Sequence, residues 1–447
     1  MVGGGFAGLA AAVALQERRH EVLLLERRGV LGGRAASARD ALSGEPVGSG
    51  THVLFGAYRE AIDLARRAGA GDRLVVQDSP ELIFADAKGR TVLRFPPWIA
   101  PLRLGAGLLS LRVPWRTRWD AIRFGLGLLR GLPPPEWMLA DFLERTGQGA
   151  NSRRLLWEPL VAALVGDQPE RTAGRPFARL LRELVWSDRR AGGLVLARKG
   201  LAELHEAIAR YLLARGGAVR RRALVEAVVC AEGRAVAVRY MQRAETKAEI
   251  RAGKKATEET VETDAVILAV PWSAIRTLVP EDLRAQEPFA GLARLQGTPA
   301  VTIEMWIDRV VVESAATLVR EGGAVWVVDR GRLLGRVGPP QHLAVGLSPG
   351  LAREIHTNAE WIELGRAALS RVFPAMSAAQ IERAVVLKEP AAFFASDPES
   401  QRLRPGARTP VPNLFLAGDW TDTGLPACVE GAVRSGREAA RCVEEAG

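Results

Sequence analysis

The segment Gly3-Gly4-Gly5-Phe6-Ala7-Gly8 constrains this chain more than any other feature. It is a G-x-G-x-x-G, followed by the helix-forming run Leu9–Leu15 and then by His20–Glu26, a short apolar strand ending in an acid. Eighteen residues separate Gly8 from Glu26, close to the spacing of about 20 in dinucleotide-binding folds. The three glycines have different tasks. Gly3 permits a tight turn, Gly5 lets a pyrophosphate approach the backbone, and Gly8 lets the helix pack close to a strand. The first-turn N–H groups of Phe6, Ala7 and Gly8 then face the phosphates, and Glu26 is placed to accept from ribose hydroxyls. The expected fold is α/β, with a Rossmann-like domain. Only Met1 and Val2 precede the loop, whereas the first parallel strand of such a unit is typically about five residues. The expectation is a misassigned start or a clipped strand, with extra apolar residues upstream improving folding or flavin retention. The uncharged first 16 residues do not read as a signal peptide, because Glu17-Arg18-Arg19 follow at once and no basic start precedes them.

A second glycine pair follows in Arg27-Arg28-Gly29-Val30-Leu31-Gly32-Gly33-Arg34. Gly32 and Gly33 again permit close backbone approach, and Arg34 suits a phosphate or a cofactor carbonyl. This cluster resembles the R-x-G-G-R segment of flavin amine oxidases and carotenoid-type desaturases, which implies FAD rather than NAD, with Arg27 among the residues near it. Toward the other end, Asn413–Trp420 is an apolar strand running into Gly418 and Asp419, and Glu430-Gly431-Ala432 lies early in a helix running to about Glu445. Asp419 would bond the ribityl chain or approach the pyrophosphate. The N–H groups at 430–432 would face the flavin O2 edge and stabilise negative charge there. Taken alone, Asp419 or Glu430 also reads as an ordinary helix cap.

The chain resembles the hydroxysqualene dehydroxylases, relatives of phytoene desaturases within the amine oxidase superfamily. The residues that carry the resemblance are Leu416–Ala427 with Glu430–Gly436, Leu156-Trp157-Glu158-Pro159-Leu160, Gly50–Tyr58, and Val327–Arg330 with His342–Val345. Near Gly50 the family usually has an acid and a Gln, where this chain has Gly48 and Thr51. The resemblance implies a Rossmann-like FAD domain of the GR2 type interleaved with an α+β substrate domain, with Val225 bonding the adenine through its backbone. It also implies reduction of hydroxysqualene to squalene in hopanoid synthesis. There an acid assists departure of an allylic hydroxyl and reduced flavin delivers hydride inside a dry, apolar tunnel. His52 and Tyr58 are candidates for the acid because their segment approaches the flavin in this superfamily. Glu158 is a further candidate, and each of the three also has a purely structural reading. Trp157 would line the pocket. Competing readings are oxidative desaturation of a C30 or C40 polyene and non-catalytic escort of prenylated lipids. One dinucleotide fingerprint leaves no second nicotinamide site in view, so an external electron donor is expected.

The expected division assigns 1–75, 195–270 and 408–447 to the FAD domain, and 76–194 and 271–407 to the substrate domain. Helices are expected over Leu201–Ala214 and Asn358–Val372. Strands are expected over Ala223–Cys230, Ala235–Tyr240, Asp264–Pro271, Thr298–Asp308, Ala324–Asp329 and Gln341–Leu347. Gln242–Glu262, charged with both signs and without periodicity, reads as an exposed excursion with no catalytic role.

Composition removes other classes. Five histidines without metal spacing, three scattered cysteines and no G-x-S-x-G disfavour metal or serine hydrolysis and a disulfide scaffold. The cysteine usage fits a reducing compartment, hence a cytoplasmic protein. The net charge of +10 suggests an anionic partner or simply arginines spread over a solvated surface; without a zinc-finger, RNP or basic-zipper pattern, nucleic acid is not expected. Residues 94–132 hold Phe95, Trp98, Trp115, Trp119 and Phe124 among leucines and seven arginines, with Trp119, Ile122, Leu126 and Leu129 on one helical face. This suits either a helix lying in the interface of an anionic membrane, here peripheral contact with the inner membrane, or a core-facing helix with a basic outer side. A long-chain isoprenoid substrate would need such an apolar mouth.

Overall fold

A parallel sheet is built from strands far apart in the chain. In the computed structural model, Leu23–Glu26 pairs with Ala218–Arg221, and Val266–Leu268 pairs with Leu414–Leu416. Val2 joins the two pairs, bridging Leu25 on one side and Leu268 on the other. Its N–H bonds Ile267 O at 2.9 Å, and Ala269 N bonds Val2 O at 2.7 Å. The structure describes residues 1–446 except 49, 97–99, 245–248, 250–254 and 354–355, with backbone alone for 100–104.

The helix Phe6–Glu17 is buried on every side from Phe6 to Leu15. Such a helix is apolar all round because it has no solvent face. It packs against the helices Ala202–Leu213 and Val429–Ala446. The last approach is close because Gly436 faces it, where a Cβ would stand 2.1 Å from Ala7 O. An antiparallel three-stranded sheet, Ala223–Ala231, Arg234–Gln242 and Thr257–Glu262, packs beside Leu23–Glu26.

A seven-stranded sheet forms the other half. Its order is Ile381–Phe394, Gly297–Ile307, Gln341–Leu347, Ala324–Asp329, Ala316–Val319, Glu81–Asp86, Gly89–Arg94. All neighbours are antiparallel except Ala316–Val319 with Glu81–Asp86. Helices Trp115–Arg130, Glu158–Val165 and Gly174–Trp186 cover one side, and Asn358–Val372 packs on the sheet behind a Thr357–Glu360 capping box.

One expected loop is a strand in part. Thr257–Glu262 pairs in register with Ala237–Gln242. It is an edge strand with nearly every residue in water, so no apolar alternation marked it in the sequence. The remainder of that excursion lies mostly outside the described residues. The helices expected at Leu201–Ala214 and Asn358–Val372 are found at Ala202–Leu213 and Asn358–Val372.

Candidate cofactor and substrate site

The loop Gly3–Gly8 folds as its glycines require. Gly3 has φ +105°, and a Cβ there would lie 2.5 Å from Ala269 O. A Cβ at Gly8 would lie 1.9 Å from Gly3 O, whereas one at Gly5 would meet nothing within 4 Å. Gly5 begins the helix Phe6–Glu17 with no side-chain cap and no acid in the first turn. That leaves first-turn N–H groups and the positive dipole end for an anion. Glu26 is buried, and its carboxylate accepts Gly4 N–H at 2.8 Å and Arg28 N–H at 2.7 Å. Arg27 is exposed beside it.

The second glycine pair folds onto the first loop. Gly32 N–H bonds Gly4 O at 2.8 Å, and a Cβ at Gly33 would stand 3.6 Å from Gly5 Cα. Arg34 bonds the carboxylate of Asp419 and, at 3.0 Å, Ala392 O. Gly418 donates its N–H to Ser435 Oγ at 2.8 Å. Thus Arg34, Asp419 and both glycine loops converge. Val225 is buried on an outer strand next to Leu23–Glu26.

The C-terminal helix runs over Val429–Ala446, with 430–432 in its first turn as expected. Two of those N–H groups are spent within the chain: Gly431 N–H goes to Cys428 Sγ at 3.3 Å and Ala432 N–H to Cys428 O at 3.1 Å. Glu430 turns its buried carboxylate away, accepting Glu60 N–H at 3.2 Å and Ala61 N–H at 3.0 Å, with Arg434 at 2.9 Å. It caps the helix Arg59–Arg67. Burial raises its pKa, and the Ala61 N–H and Arg434 oppose that.

The three candidate acids do not converge. His52 lines a small cavity with Ser37, Gly50, Gly200, Leu201 and Arg330. Its Nε2 is buried with no hydrogen-bond partner among the described residues. Burial, then the Arg330 guanidinium, lowers its pKa to about 4, so the ring is neutral at pH 7. It is therefore no imidazolium acid. Tyr58 is buried and lines neither cavity. Burial, then Cys428, holds the phenol well above its ordinary pKa. Glu158 is exposed, outside both cavities. A π-helical turn over Arg153–Trp157 precedes it and leaves Trp157 facing inward.

Trp157 lines a second cavity with Phe55, Phe84, Phe124, Leu128 and Leu160. Its walls are almost wholly carbon. The Trp157 N–H is spent on Gln148 Oε1 at 2.8 Å. Phe55 is three residues from His52, so one short segment borders both cavities. Within the helix Trp115–Arg130, Ala121, Phe124, Gly125 and Leu128 face this cavity. Trp115 (75% exposed), Trp119 (56%), Leu126 and Leu129 face outward instead. Of the helical face picked out in the sequence, Trp119, Leu126 and Leu129 point outward, while Ile122 is half-buried against the core. Trp98 lies outside the described residues.

Two arginines were given no role of their own in the sequence. Arg404 is buried and donates to Leu425 O at 2.9 Å, Asp419 O at 3.1 Å and Thr421 O, shaping the turn after Asp419. Burial lowers its pKa to about 10, leaving it charged. Arg330 anchors the His52 cavity through Gly50 O at 3.3 Å and Glu304. The Val327–Arg330 resemblance touched Arg330, but no local signal marked Arg404.

The glycine cradle, the uncapped helix terminus and the buried acid at the strand end fit an FAD. A profile of the flavin containing amine oxidoreductases matches residues 6–444. The chain belongs to that family. This flavoprotein is 31% identical to a hydroxysqualene dehydroxylase of Rhodopseudomonas palustris, over 100% of this chain and 98% of the relative. It is 26% identical to a 15-cis-phytoene desaturase of Synechococcus elongatus, over 99% and 95%. Among solved structures, an oxidoreductase from Methanosarcina mazei superposes with a TM-score of 0.73 at 17% identity, covering 99% of both chains. A putrescine oxidase variant gives 0.71 at 16% identity, over 100% and 98%. Those two likenesses speak for the fold alone. The protein is an FAD-dependent oxidoreductase related to the phytoene desaturases. Among the described residues, no helix is long and apolar enough to cross a membrane.

Proposed function

We propose that this flavoprotein reduces hydroxysqualene to squalene. The observation that carries the reading is the carbon-walled cavity bordered, through Phe55, by the same short segment that borders the His52 cavity. Among the described residues this cavity has no carboxylate and no aromatic cage with a polar anchor, which suits a hydrocarbon chain and offers an amine nothing to pair with. The likeness to hydroxysqualene dehydroxylases supports the same substrate.

The bound FAD supplies two-electron redox chemistry, charged by an external donor. The chain's residues do the rest. Phe124, Trp157 and Leu160 hold the isoprenoid and exclude water, which would otherwise capture a developing allylic cation. His52, kept neutral by burial and Arg330, would donate a hydrogen bond from Nε2–H to the hydroxyl oxygen, which leaves as water, its proton arriving with the two reducing equivalents. Arg34 and Asp419, with the glycine loops and Glu26, hold the dinucleotide. The exposed Trp115, Trp119, Leu126 and Leu129, flanked by Arg112, Arg116, Arg123 and Arg130, dock the protein on an anionic membrane surface.

The test is anaerobic turnover of hydroxysqualene by protein with pre-reduced flavin, with squalene as the expected product. Absence of squalene overturns the reading. Bleaching of the oxidised flavin by a phytoene-like polyene, without added reductant, would instead favour desaturation, for which the same cavity is suited.

A further inference from the structure

Trp157 is held in the wall of the carbon-lined cavity by a residue outside that wall. Gln148 follows the helix Leu139–Arg145, is buried, and does not line the cavity. Both ends of its side-chain amide are engaged. Oε1 accepts Trp157 Nε1–H at 2.8 Å, while Nε2 donates to Asp120 O at 2.8 Å and to Thr146 O at 3.3 Å. Asp120 lies on the helix Trp115–Arg130, which supplies Ala121, Phe124, Gly125 and Leu128 to the same cavity. One amide thus ties that helix to the indole. The Trp157 ring meets the Phe124 ring at 4.5 Å between centroids, tilted by 47°.

Holding the two segments together does not require this bond. The Asp120 carboxylate already accepts Ser152 Oγ–H at 2.8 Å and Gly149 N–H at 3.4 Å. A phenylalanine at 157 would wall the cavity without bringing an N–H that needs a partner. What the indole adds is orientation, because its single donor against a fixed acceptor selects one ring setting. The π-helical turn Arg153–Trp157 ends on this residue, a departure from regular helix that is frequent at functional sites. We propose that Gln148 is a positioning residue for the hydrocarbon chain: it fixes the Trp157 ring against Phe124 and keeps the indole N–H out of the cavity. The inference rests on the cavity as the isoprenoid site. Without Oε1, the N–H stays unpaired or turns into the carbon-walled space, and either outcome costs the cavity its shape or its dryness.

The experiment measures equilibrium binding of radiolabelled squalene from detergent micelles to wild-type holoenzyme, Gln148→Leu, Trp157→Phe and the double variant. Flavin absorption and thermal midpoint are recorded for each as checks on folding. The expected result is a Kd raised roughly tenfold in Gln148→Leu, the scale of one buried hydrogen bond, with flavin absorption unchanged. In the Trp157→Phe background the same substitution should change the Kd less than twofold, since the bond is already gone. An amide with a merely structural role would weaken squalene binding equally in both backgrounds, or in neither, and each of those results overturns the proposal. Should Gln148→Leu fail to fold, Trp157→Phe removes the same bond from its other end. A Kd within twofold of wild type there overturns the proposal, and a larger rise supports it. Wild-type turnover of hydroxysqualene is run beside the titrations. Squalene bound with hydroxysqualene untouched strikes the proposed reaction and leaves this inference standing. A wild type that binds no squalene removes the cavity reading and the inference together.

Discussion

Arg330 is locked to Glu304 by two hydrogen bonds, Nη2 to Oε1 at 2.9 Å and Nε to Oε2 at 3.3 Å, with Glu304 fully sealed from solvent. Glu304 also accepts Gly48 N–H at 3.1 Å and faces His342. Burial raises its pKa, but Arg330 and His342 outweigh that, and the carboxyl titrates below its usual range. Glu304→Gln leaves the guanidinium buried beside a neutral amide. Breaking such a pair costs about 3–5 kcal/mol. The urea midpoint of this variant should fall accordingly; an unchanged midpoint would show that the pair is dispensable.

Acidification should destabilise the protein through His52. Its pKa is lowered from 6.5 in the unfolded chain to about 4 in the fold. Between those values the unfolded chain binds the proton and the folded chain does not. The stability is therefore fully present above pH 6.5 and declines as pH falls toward 4, by about 3 kcal/mol for this one ring. Denaturation curves across that window should be flatter for His52→Phe than for wild type. Parallel slopes would remove His52 as the cause.

Gly8 and Gly5 should respond differently to the same added methyl. Gly8→Ala drives a Cβ to 1.9 Å from Gly3 O, so the apoprotein should melt lower, with overpacking costs of about 1–3 kcal/mol. Gly5→Ala meets no protein atom within 4 Å. Its apoprotein should melt like wild type while FAD affinity drops roughly tenfold. Equal effects on melting would contradict this division of tasks.

Filling the hydrocarbon cavity should separate substrate binding from flavin binding. Ala121 lines that cavity and is 3% exposed. Ala121→Phe should cut turnover of hydroxysqualene at least roughly tenfold, given the steric cost of overpacking, with the flavin absorption spectrum unchanged. Full turnover would place the substrate elsewhere.

The outer ridge is tested on vesicles. Replacing Trp115 and Trp119 by Ser removes two large, exposed aromatic surfaces, each able to bury about 150–250 Å². Co-sedimentation with anionic vesicles should fall at least roughly tenfold, with unchanged melting temperature. Equal sedimentation would leave the ridge without this role.

What could be read from the sequence was what chemistry writes locally. Gly3, Gly5 and Gly8 announce themselves because close approach permits no side chain, and Glu26 because it ends an apolar strand. The helix Asn358–Val372 carries its own capping box. The helical face of Trp119, Leu126 and Leu129 was visible, but its direction was not, since Ala121, Phe124 and Leu128 form a second apolar face on the same helix. Ala316–Val319 is four buried residues without alternation, too short for a periodic signal. Arg404 and the outward turn of Glu158 depend on which distant segments enclose them, and no spacing records that.

The helix Trp115–Arg130 is a partition one helix thick, apolar on both faces. A greasy molecule resting on the outer ridge is separated from the cavity by about 10 Å of protein, the diameter of a single helix. Transfer across it asks for displacement of one element and for no passage through water. Were the cavity loaded across this helix, loosening it would quicken entry and equally admit water to the carbon-walled interior.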